Sequence, residues 1–250
     1  MWYMGFAIFW LLAFIEYKAQ FIVMVSASSY YFDSNASKEG DADVGLAFKL
    51  TYCNHLGSIA VGSFIIGAIR FVKVVFIYAA RQAAKADGEG GNGASKALFK
   101  CGMCYINCLE KVTDYINEAA FAYMAVSGES FFKSAWNGFL PNLKHIMKFS
   151  FANLIANVFI FIGKVGLVIG NVFSCMFIMN SITGSANEVN STFGPYVVVG
   201  VFTYFTASIF LGLFDTAVMA MMTSLAIDMD MNGSPKYGPP TFHEACKKIE

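Results

Sequence analysis

Two long apolar runs dominate the pattern of hydrophobic and polar positions in the second half of the chain. They extend over Phe149–Met179 and Tyr196–Ile227, and a short polar link containing Gly184 and Asn190 joins them. A helix rises about 1.5 Å per residue and about 20 residues cross the hydrocarbon core, so each run is long enough to span a bilayer. The pattern therefore predicts a transmembrane helical hairpin.

Two ionisable side chains, Lys164 and Asp215, lie deep within this predicted hairpin. A lone charge at that depth costs at least about 2.5–3.5 kcal/mol, so such residues usually pair, face a bundle interior or line a wet pathway. Counted from the ends that face the same compartment, the two residues lie at a similar depth. We expect either a structural ion pair between them or a lysine that snorkels toward the surface, and the alternative is a role in transport.

The first half of the chain contains two further predicted spans. Span 1, from Trp2 to Tyr31, carries Glu16 and Lys18 in its middle third, so one of its sides is expected to face protein or water. Span 2, Gly57–Ala80, begins with glycine and serine residues that permit close helix packing.

Charged residues also occur in the second half of span 2, namely Arg70 and Lys73. Long basic side chains extend toward the nearer membrane surface, which is the arrangement we expect for these two. All the charges within the spans are also able to neutralise one another, which is the second interpretation.

The two helices of the predicted hairpin are spans 3 and 4. The segment between spans 2 and 3 is more polar. Residues 81–95 are rich in glycine and predict a flexible linker. Lys96–Val126 predicts an amphipathic helix that is interfacial or packed under the bundle. Phe131–Lys148 predicts a second one, broken at Pro141, and both are expected to lie flat and not to span the membrane.

The predicted fold is all-α, a polytopic transmembrane helical bundle of about four spans with interfacial amphipathic helices. Its predicted domains are 1–82 with spans 1 and 2, 83–148 with the linker and amphipathic helices, 149–227 with the hairpin, and 228–250 as a tail. The loop between spans 1 and 2 is placed at Asp33–Lys49.

Composition supports this assignment and excludes several function classes. The chain is 57% hydrophobic and 14% charged with zero net charge, which excludes a soluble domain and gives no reason to expect a nucleic-acid partner. Phosphate-binding, zinc-protease and serine-hydrolase motifs are absent from the sequence, so we expect neither an enzyme nor a cofactor.

Three cysteines share one predicted helical face: Cys101, Cys104 and Cys108. They form either a small-residue packing face or a site of palmitoylation. A zinc site is not expected, because the remaining histidines and cysteines lack paired spacing.

Lysine and arginine residues indicate the orientation. They are concentrated between spans 2 and 3 and in the C-terminal tail, which places both segments, and with four spans also the N-terminus, on the cytosolic side. The membrane itself is left open between the plasma membrane and an organelle membrane, including the mitochondrial one.

An aromatic stripe on span 1 suggests one site for a cation. Trp10, Phe14 and Tyr17 follow helical spacing, with Glu16 alongside, and aromatic faces with diffuse negative charge suit a quaternary ammonium group. The same stripe also fits an ordinary helix–helix contact. His55, at the start of span 2, is either a proton relay or an interfacial anchor.

Several short strings, taken in order along the chain, resemble the C-terminal half of the choline transporter-like family. They are Phe6, Trp10, Phe14, Gln20 and Tyr31-Phe32; His55-Leu56-Gly57 with Gly62-Ser63-Phe64-Ile65-Ile66; Cys108-Leu109-Glu110-Lys111 with Tyr115-Ile116-Asn117; Phe161-Ile162-Gly163-Lys164-Val165; and Ala226-Ile227-Asp228 with Asn232-Gly233-Ser234-Pro235.

The resemblance implies a function and two counterparts. Members of that family have about ten spans and move choline or related quaternary amines, apparently with proton exchange. Asp215 would correspond to an acidic residue of the last helix, and Lys164 to the lysine of a Gly-Lys pair. The N-terminal spans of the family have no counterpart in the 250 residues.

Two hypotheses follow for the function. Either the chain moves choline or a similar cation together with a second copy or a partner half, with Trp10, Phe14, Glu16, Tyr17 and Asp215 as the substrate-binding residues, or it is a non-transporting accessory subunit of a larger membrane complex. The expected partners are the lipid bilayer, other membrane subunits or further copies of the chain, and choline.

Overall fold

The structure is a computed structural model that describes residues 2–86, 93–144, 146–182, 193–241 and 243. The described segments are organised as helices joined by short connections. The helices are α1 (Trp2–Asp33), α2 (Val44–Lys49), a π-helical turn (Leu50–Asn54), α3 (Leu56–Ala86), α4 (Gly93–Ser127), α5 (Phe131–Lys144), α6 (Ile146–Ile182) and α7 (Phe193–Asn232).

Four of these helices are long and apolar enough to cross a membrane. They are α1, the Leu56–Gln82 part of α3, the Leu154–Ser181 part of α6, and α7. The four predicted spans are therefore confirmed, as is the all-helical fold class. The polar link predicted around Gly184 and Asn190 lies outside the described residues.

The chain divides into two compact units. One comprises Met1–His145 together with Met219–Glu250, and the other comprises Ile146–Val218. The first 145 residues belong to the same unit. The second unit contains α6 and the first part of α7, which is the predicted hairpin up to Val218.

Helices α1 and α3 pack antiparallel, and a glycine of α3 sets their closest approach. A Cβ atom at Gly67 would lie only 2.9 Å from the Trp10 Cα atom, so a larger residue would force the two backbones apart. The small-residue pattern predicted for span 2 also has a packing role at Gly62, where a Cβ atom would lie 2.5 Å from Phe121 and 2.8 Å from Phe131.

Helix α4 runs antiparallel beside α3, which corrects the prediction that it lies flat. Phe76 of α3 meets Gly102 at one end of the contact, and Gly62 meets Phe121 at the other. The stretch between Gly62 and Phe76 corresponds to about 21 Å of helix, so α4 follows α3 along much of its length. The amphipathic pattern of α4 reflects the polar groups of α3 and α1 that it contacts.

Helix α5 returns along α4 after a tight turn. Gly128 takes a positive φ of 68° at this turn, a conformation that suits glycine. Gly138 of α5 then lies so close to α4 that a Cβ atom there would be 2.7 Å from the Tyr123 Cβ. The predicted break at Pro141 is wrong, because α5 continues to Lys144 and α6 begins at Ile146.

The predicted loop and linker boundaries also need correction. The segment after α1 contains the short helix α2, whose start is capped by Asp43, with its carboxylate accepting a hydrogen bond from the Leu46 N–H at 2.7 Å. In the segment predicted as a glycine-rich linker, α3 extends to Ala86 and α4 begins at Gly93. Residues 87–92 lie outside the described part.

Asp228 binds the segment that follows α7 through hydrogen bonds within the first unit. It is 1% exposed, and it accepts hydrogen bonds from the Tyr31 hydroxyl at 3.1 Å, the Asn232 amide at 2.8 Å, and the backbone N–H groups of Lys236 and Tyr237 at 2.8 and 3.0 Å. A buried carboxylate without such donors would be strongly disfavoured, and four donors satisfy its oxygens. Asp228 thereby ties α7 to α1 and orders the residues that follow.

Candidate functional site: a charge cluster between three helices

Arg70 lies at the centre of a charge cluster formed by α1, α3 and α4. Its guanidinium donates to the Glu16 carboxylate of α1 at 2.8 Å. It also faces two carboxylates of α4, with Asp114 at 3.7 Å and Glu110 at 3.9 Å. A planar guanidinium with five N–H donors is suited to bridging several carboxylates, which a lysine ammonium does less well.

Lys73 lies one turn further along α3 and completes the cluster. Its ammonium group contacts Glu110 at 2.6 Å. On the other side, the Tyr17 hydroxyl of α1 donates to Asp114 at 2.9 Å. Arg70 and Lys73 therefore pair with acidic residues of neighbouring helices, and their predicted extension toward the nearer surface stays a prediction.

The cluster contains more acid than base. Glu16, Glu110 and Asp114 face only Arg70 and Lys73 among the ion pairs of the described residues, which leaves one carboxylate in excess when all five groups are charged. An uncompensated charge beside membrane-spanning helices is costly and usually marks a proton or ion path, or a missing partner. The arrangement is electrostatically suited to attract a cation.

Helical spacing explains why these groups converge. Glu110 and Asp114 are four residues apart on α4, and Asn117 follows three residues later on the same face. Asn117 is buried and donates to the Gly62 carbonyl of α3 at 3.2 Å, which fixes α4 against α3 next to the charged residues. Glu110, Asp114 and Asn117 were not predicted as site residues, although their common helical face was a usable signal in the sequence.

The predicted aromatic cage on α1 does not close around Glu16. Trp10 donates its indole N–H to the Ala60 carbonyl at 3.3 Å and packs edge-on against Phe64 with ring centroids 5.6 Å apart. Tyr17 is buried with its ring 5.1 Å from that of Phe121. These are helix–helix contacts, so the assignment of Trp10 and Tyr17 to substrate binding stays a prediction.

Phe14, unlike Trp10 and Tyr17, lies next to a basic side chain. The Lys18 ammonium lies 5.0 Å from the centre of the Phe14 ring and 5.3 Å from the centre of the Tyr52 ring. These distances are typical of cation–π contacts. Among the described residues, Phe14 is thus the one aromatic residue of the predicted cage that has a cation–π contact, and that cation belongs to the chain itself.

Lys164 and Asp215 lie on α6 and α7 of the second unit. Asn171 donates to Thr203 at 3.0 Å, and a Cβ at Gly163 would lie 3.2 Å from Leu211, so the two helices run antiparallel. In that register Asp215 is offset from Lys164 by about five residues, or about 7.5 Å. The two charges attract each other but form no direct ion pair among the described residues. The predicted pair stays a prediction.

His55 precedes α3 and is buried against Phe21, with ring centroids 5.5 Å apart. Burial lowers the pKa of His55 from its ordinary value. The neutral imidazole is therefore favoured near pH 7, which agrees with an anchoring role at the start of α3. Its predicted alternative role as a proton relay stays untested.

The three cysteines of α4 are all exposed: Cys101, Cys104 and Cys108. None of the three is buried in a helix–helix contact among the described residues, and a small-residue helix face remains one of the two interpretations. Palmitoylation of these cysteines stays a prediction.

Comparison with known proteins identifies the family. A family model described as plasma-membrane choline transporter matches residues 1–230. Choline transporter-like protein 3 of Bos taurus is 27% identical over 239 residues, covering 95% of this chain and 35% of the relative.

Two further relatives give the same result. Choline transporter-like protein 3 of Homo sapiens is 27% identical over 230 residues, covering 92% of this chain and 34% of the relative. Choline transporter-like protein 1 of Mus musculus is 25% identical over 235 residues, covering 94% of this chain and 35% of the relative. The chain thus spans about a third of the length of these relatives. With four membrane-spanning helices and a match that covers most of its length, this integral membrane protein belongs to the plasma-membrane choline transporter family.

Proposed function

We propose that this chain takes part in the movement of choline or a similar small organic cation across a membrane. The observation that carries this proposal is the excess of carboxylates in the cluster of Glu16, Arg70, Lys73, Glu110 and Asp114. Membership of a choline transporter family gives the cation its chemical class.

The proposed roles follow from the chemistry of choline. A quaternary ammonium group donates no hydrogen bonds, so it needs aromatic faces and diffuse negative charge. Glu16, at the edge of the cluster and 45% exposed, supplies the charge. Trp10, Phe14 and Tyr17 supply aromatic rings on the same helix, and Asp215 supplies a second acidic group on α7. Each of these assignments is part of the proposal.

A partner is part of the same proposal. The chain spans about 35% of the length of the curated relatives that it matches. Four spans are few for a transport path, so we propose that a second copy, another membrane subunit or a further segment completes the path. A multi-subunit arrangement also explains how polar groups on the exposed surface of α7, such as Asp215, avoid facing lipid.

The test is uptake of radiolabelled choline into vesicles that contain the purified chain, alone or as the complex that copurifies with it from native membranes. The proposal expects saturable uptake in at least one preparation, and a loss of uptake for Glu16→Gln and Asp215→Asn. Glu39→Gln is the matched control, because Glu39 lies exposed in the loop after α1. All variants must elute from gel filtration as the wild type does. Absence of saturable uptake in both preparations would contradict the proposal.

A second candidate function is a non-transporting accessory subunit. It is favoured by the same cluster, because four of the five charges neutralise one another in direct contacts that hold α1, α3 and α4 together. Under this hypothesis the chain migrates with a large complex after mild solubilisation, and Asp215→Asn leaves every transport activity of that complex unchanged. Loss of choline uptake in correctly folded Asp215→Asn would exclude it.

We also propose the plasma membrane as the location, in keeping with the description of the family. The alternative is an organelle membrane, including a mitochondrial one. Surface biotinylation of intact cells separates the two: labelling of the chain at the level of a known surface protein supports the plasma membrane, and exclusive recovery with an organelle fraction contradicts it.

A further inference from the structure

The contact between Lys18, Phe14 and Tyr52 joins two parts of the chain. Phe14 and Lys18 are four residues apart on one face of α1, and Tyr52 belongs to the π-helical turn before α3. The ammonium group lies at similar distances from both rings, 5.0 and 5.3 Å. Tyr52 is in turn stacked on Phe48, with an interplanar angle of 1° and centroids 6.2 Å apart. The rings of Phe14 and Tyr52 thus form an aromatic cleft that already holds the Lys18 ammonium group.

No carboxylate explains the position of this ammonium group. Lys18 takes part in no ion pair among the described residues. Glu16 is only two residues away, but residues at that spacing project about 200° apart around a helix. Tyr17 and Phe21 form a buried stripe along α1, with Lys18 on one side of it. Glu16 lies on the other side, where it contacts Arg70. The aromatic faces are therefore the groups that hold Lys18 in place.

The cleft is open to molecules from outside the chain. Tyr52 is 50% exposed and Phe48 is 49% exposed, while Phe14 and Lys18 are partly buried. The exposed half of the Tyr52 ring is thus not covered by other described residues. Aromatic faces bind primary, methylated and quaternary ammonium groups by the same electrostatic attraction, so the occupant is defined by its charge.

We propose that the cleft between Phe14 and Tyr52 is a binding site for a small quaternary ammonium compound, and that the chain's own Lys18 occupies it as a tethered competitor. A group attached to the same helix has an effective concentration in the millimolar range or above, so it outcompetes free ligand at lower concentrations. Removal of the Lys18 charge opens the site. The proposal rests on the proposed function only for the choice of choline as the ligand, and it does not require transport.

The experiment measures equilibrium binding of radiolabelled choline to the full chain in lipid nanodiscs. The variants are Lys18→Gln, Lys18→Arg, and the double variant Lys18→Gln with Tyr52→Ala. Lys38→Gln is the matched control, since Lys38 is an exposed lysine of the following loop. Unlabelled tetramethylammonium and the neutral isostere of choline, 3,3-dimethylbutan-1-ol, serve as competitors.

We expect Lys18→Gln to bind choline at least about tenfold more tightly than the wild type, as removal of a tethered competitor requires. Lys18→Arg and Lys38→Gln are expected to bind choline as the wild type does. The double variant Lys18→Gln with Tyr52→Ala is expected to lose the gain in choline affinity. Tetramethylammonium displaces choline, while the neutral alcohol does not. If Lys18→Gln does not fold, Lys18→Met provides the same uncharged test.

Three results would overturn the proposal. They are equal affinity in the wild type and the uncharged variants, a gain that survives Tyr52→Ala, and equal displacement by the neutral alcohol. This binding test is independent of the uptake test. Tight choline binding by Lys18→Gln without any uptake would contradict only the proposed transport function. Uptake without a gain in the affinity of Lys18→Gln for choline would contradict only the proposed site at Phe14 and Tyr52.

Discussion

Arg70 and Glu16 form the closest charge contact between α1 and α3, with a guanidinium nitrogen 2.8 Å from a carboxylate oxygen. The same guanidinium faces Asp114 of α4 at 3.7 Å. One arginine therefore connects three helices, and the removal of its charge affects all of them. This relationship leads to the first prediction.

Arg70→Gln is expected to destabilise the chain by at least about 1 kcal/mol more than Glu16→Gln. Loss of the arginine leaves two or three carboxylates facing one another, whereas loss of Glu16 leaves Arg70 with partners on α4. Arg70→Lys is expected to restore only part of the loss, because an ammonium group does not reach carboxylates in several directions. Thermal unfolding in nanodiscs measures the difference. Equal effects of the two neutral substitutions would show that Arg70 does not connect the three helices.

Gly67 provides a prediction about helix packing. Gly67→Val places side-chain atoms against the Trp10 backbone, where even a Cβ atom would lie 2.9 Å away, and overpacking of this kind costs about 1–3 kcal/mol. Gly57→Val is the matched control, because a Cβ atom there meets nothing within 4 Å. The free energy of unfolding is expected to fall by this cost for the first variant and to change by no more than about 0.5 kcal/mol for the second. Similar free energies of unfolding would argue against the close approach of α1 and α3.

His55 provides a prediction about pH. Burial lowers its pKa in the folded chain below the ordinary 6.5, so the unfolded chain binds the proton more readily. The stability of the chain should thus be insensitive to His55 above about pH 6.5 and should fall as the pH decreases below that value. In His55→Phe this contribution is absent, and the decrease between pH 7 and pH 5 should be smaller. Parallel pH profiles for the two proteins would rule out a buried neutral imidazole.

Asp228 provides a prediction about the segment after α7. Asp228→Ala removes the acceptor for the N–H groups of Lys236 and Tyr237, and hydrogen bonds to a charged group contribute about 1.5–3 kcal/mol each. Hydrogen exchange at these two amides should become at least about tenfold faster. Tyr31→Phe removes a single donor and should have a smaller effect. Unchanged exchange in Asp228→Ala would mean that other contacts order this segment.

The transmembrane helices were predictable because length and apolarity alone determine them. Trp2–Asp33 and Phe193–Asn232 agree with the predicted spans to within five residues at each end. Such runs must form helices in a bilayer, since every backbone polar group needs an internal partner. Local sequence was therefore sufficient for this part of the fold.

The charge cluster was not predictable in the same way. From the sequence, Arg70 and Lys73 could equally extend toward the membrane surface or form ion pairs. The choice depends on the position of α4 beside α3. That position depends on tertiary contacts, such as the hydrogen bond from Asn117 to the Gly62 carbonyl. The polar residues of α4 suggested a helix at the membrane surface, because the sequence alone does not show that α4 packs against the basic residues of α3. The contact of Lys18 with Tyr52 likewise depends on the fold of the segment between α1 and α3.

Helix α4 supplies the carboxylates that pair with the basic residues of α3. A double-mutant cycle on Lys73 and Glu110, whose charged groups are 2.6 Å apart, tests it most directly. The free energies of unfolding of Lys73→Met, Glu110→Gln and the double variant in nanodiscs should give a coupling energy of at least about 1 kcal/mol. Additive effects, with a coupling energy near zero, would contradict the account.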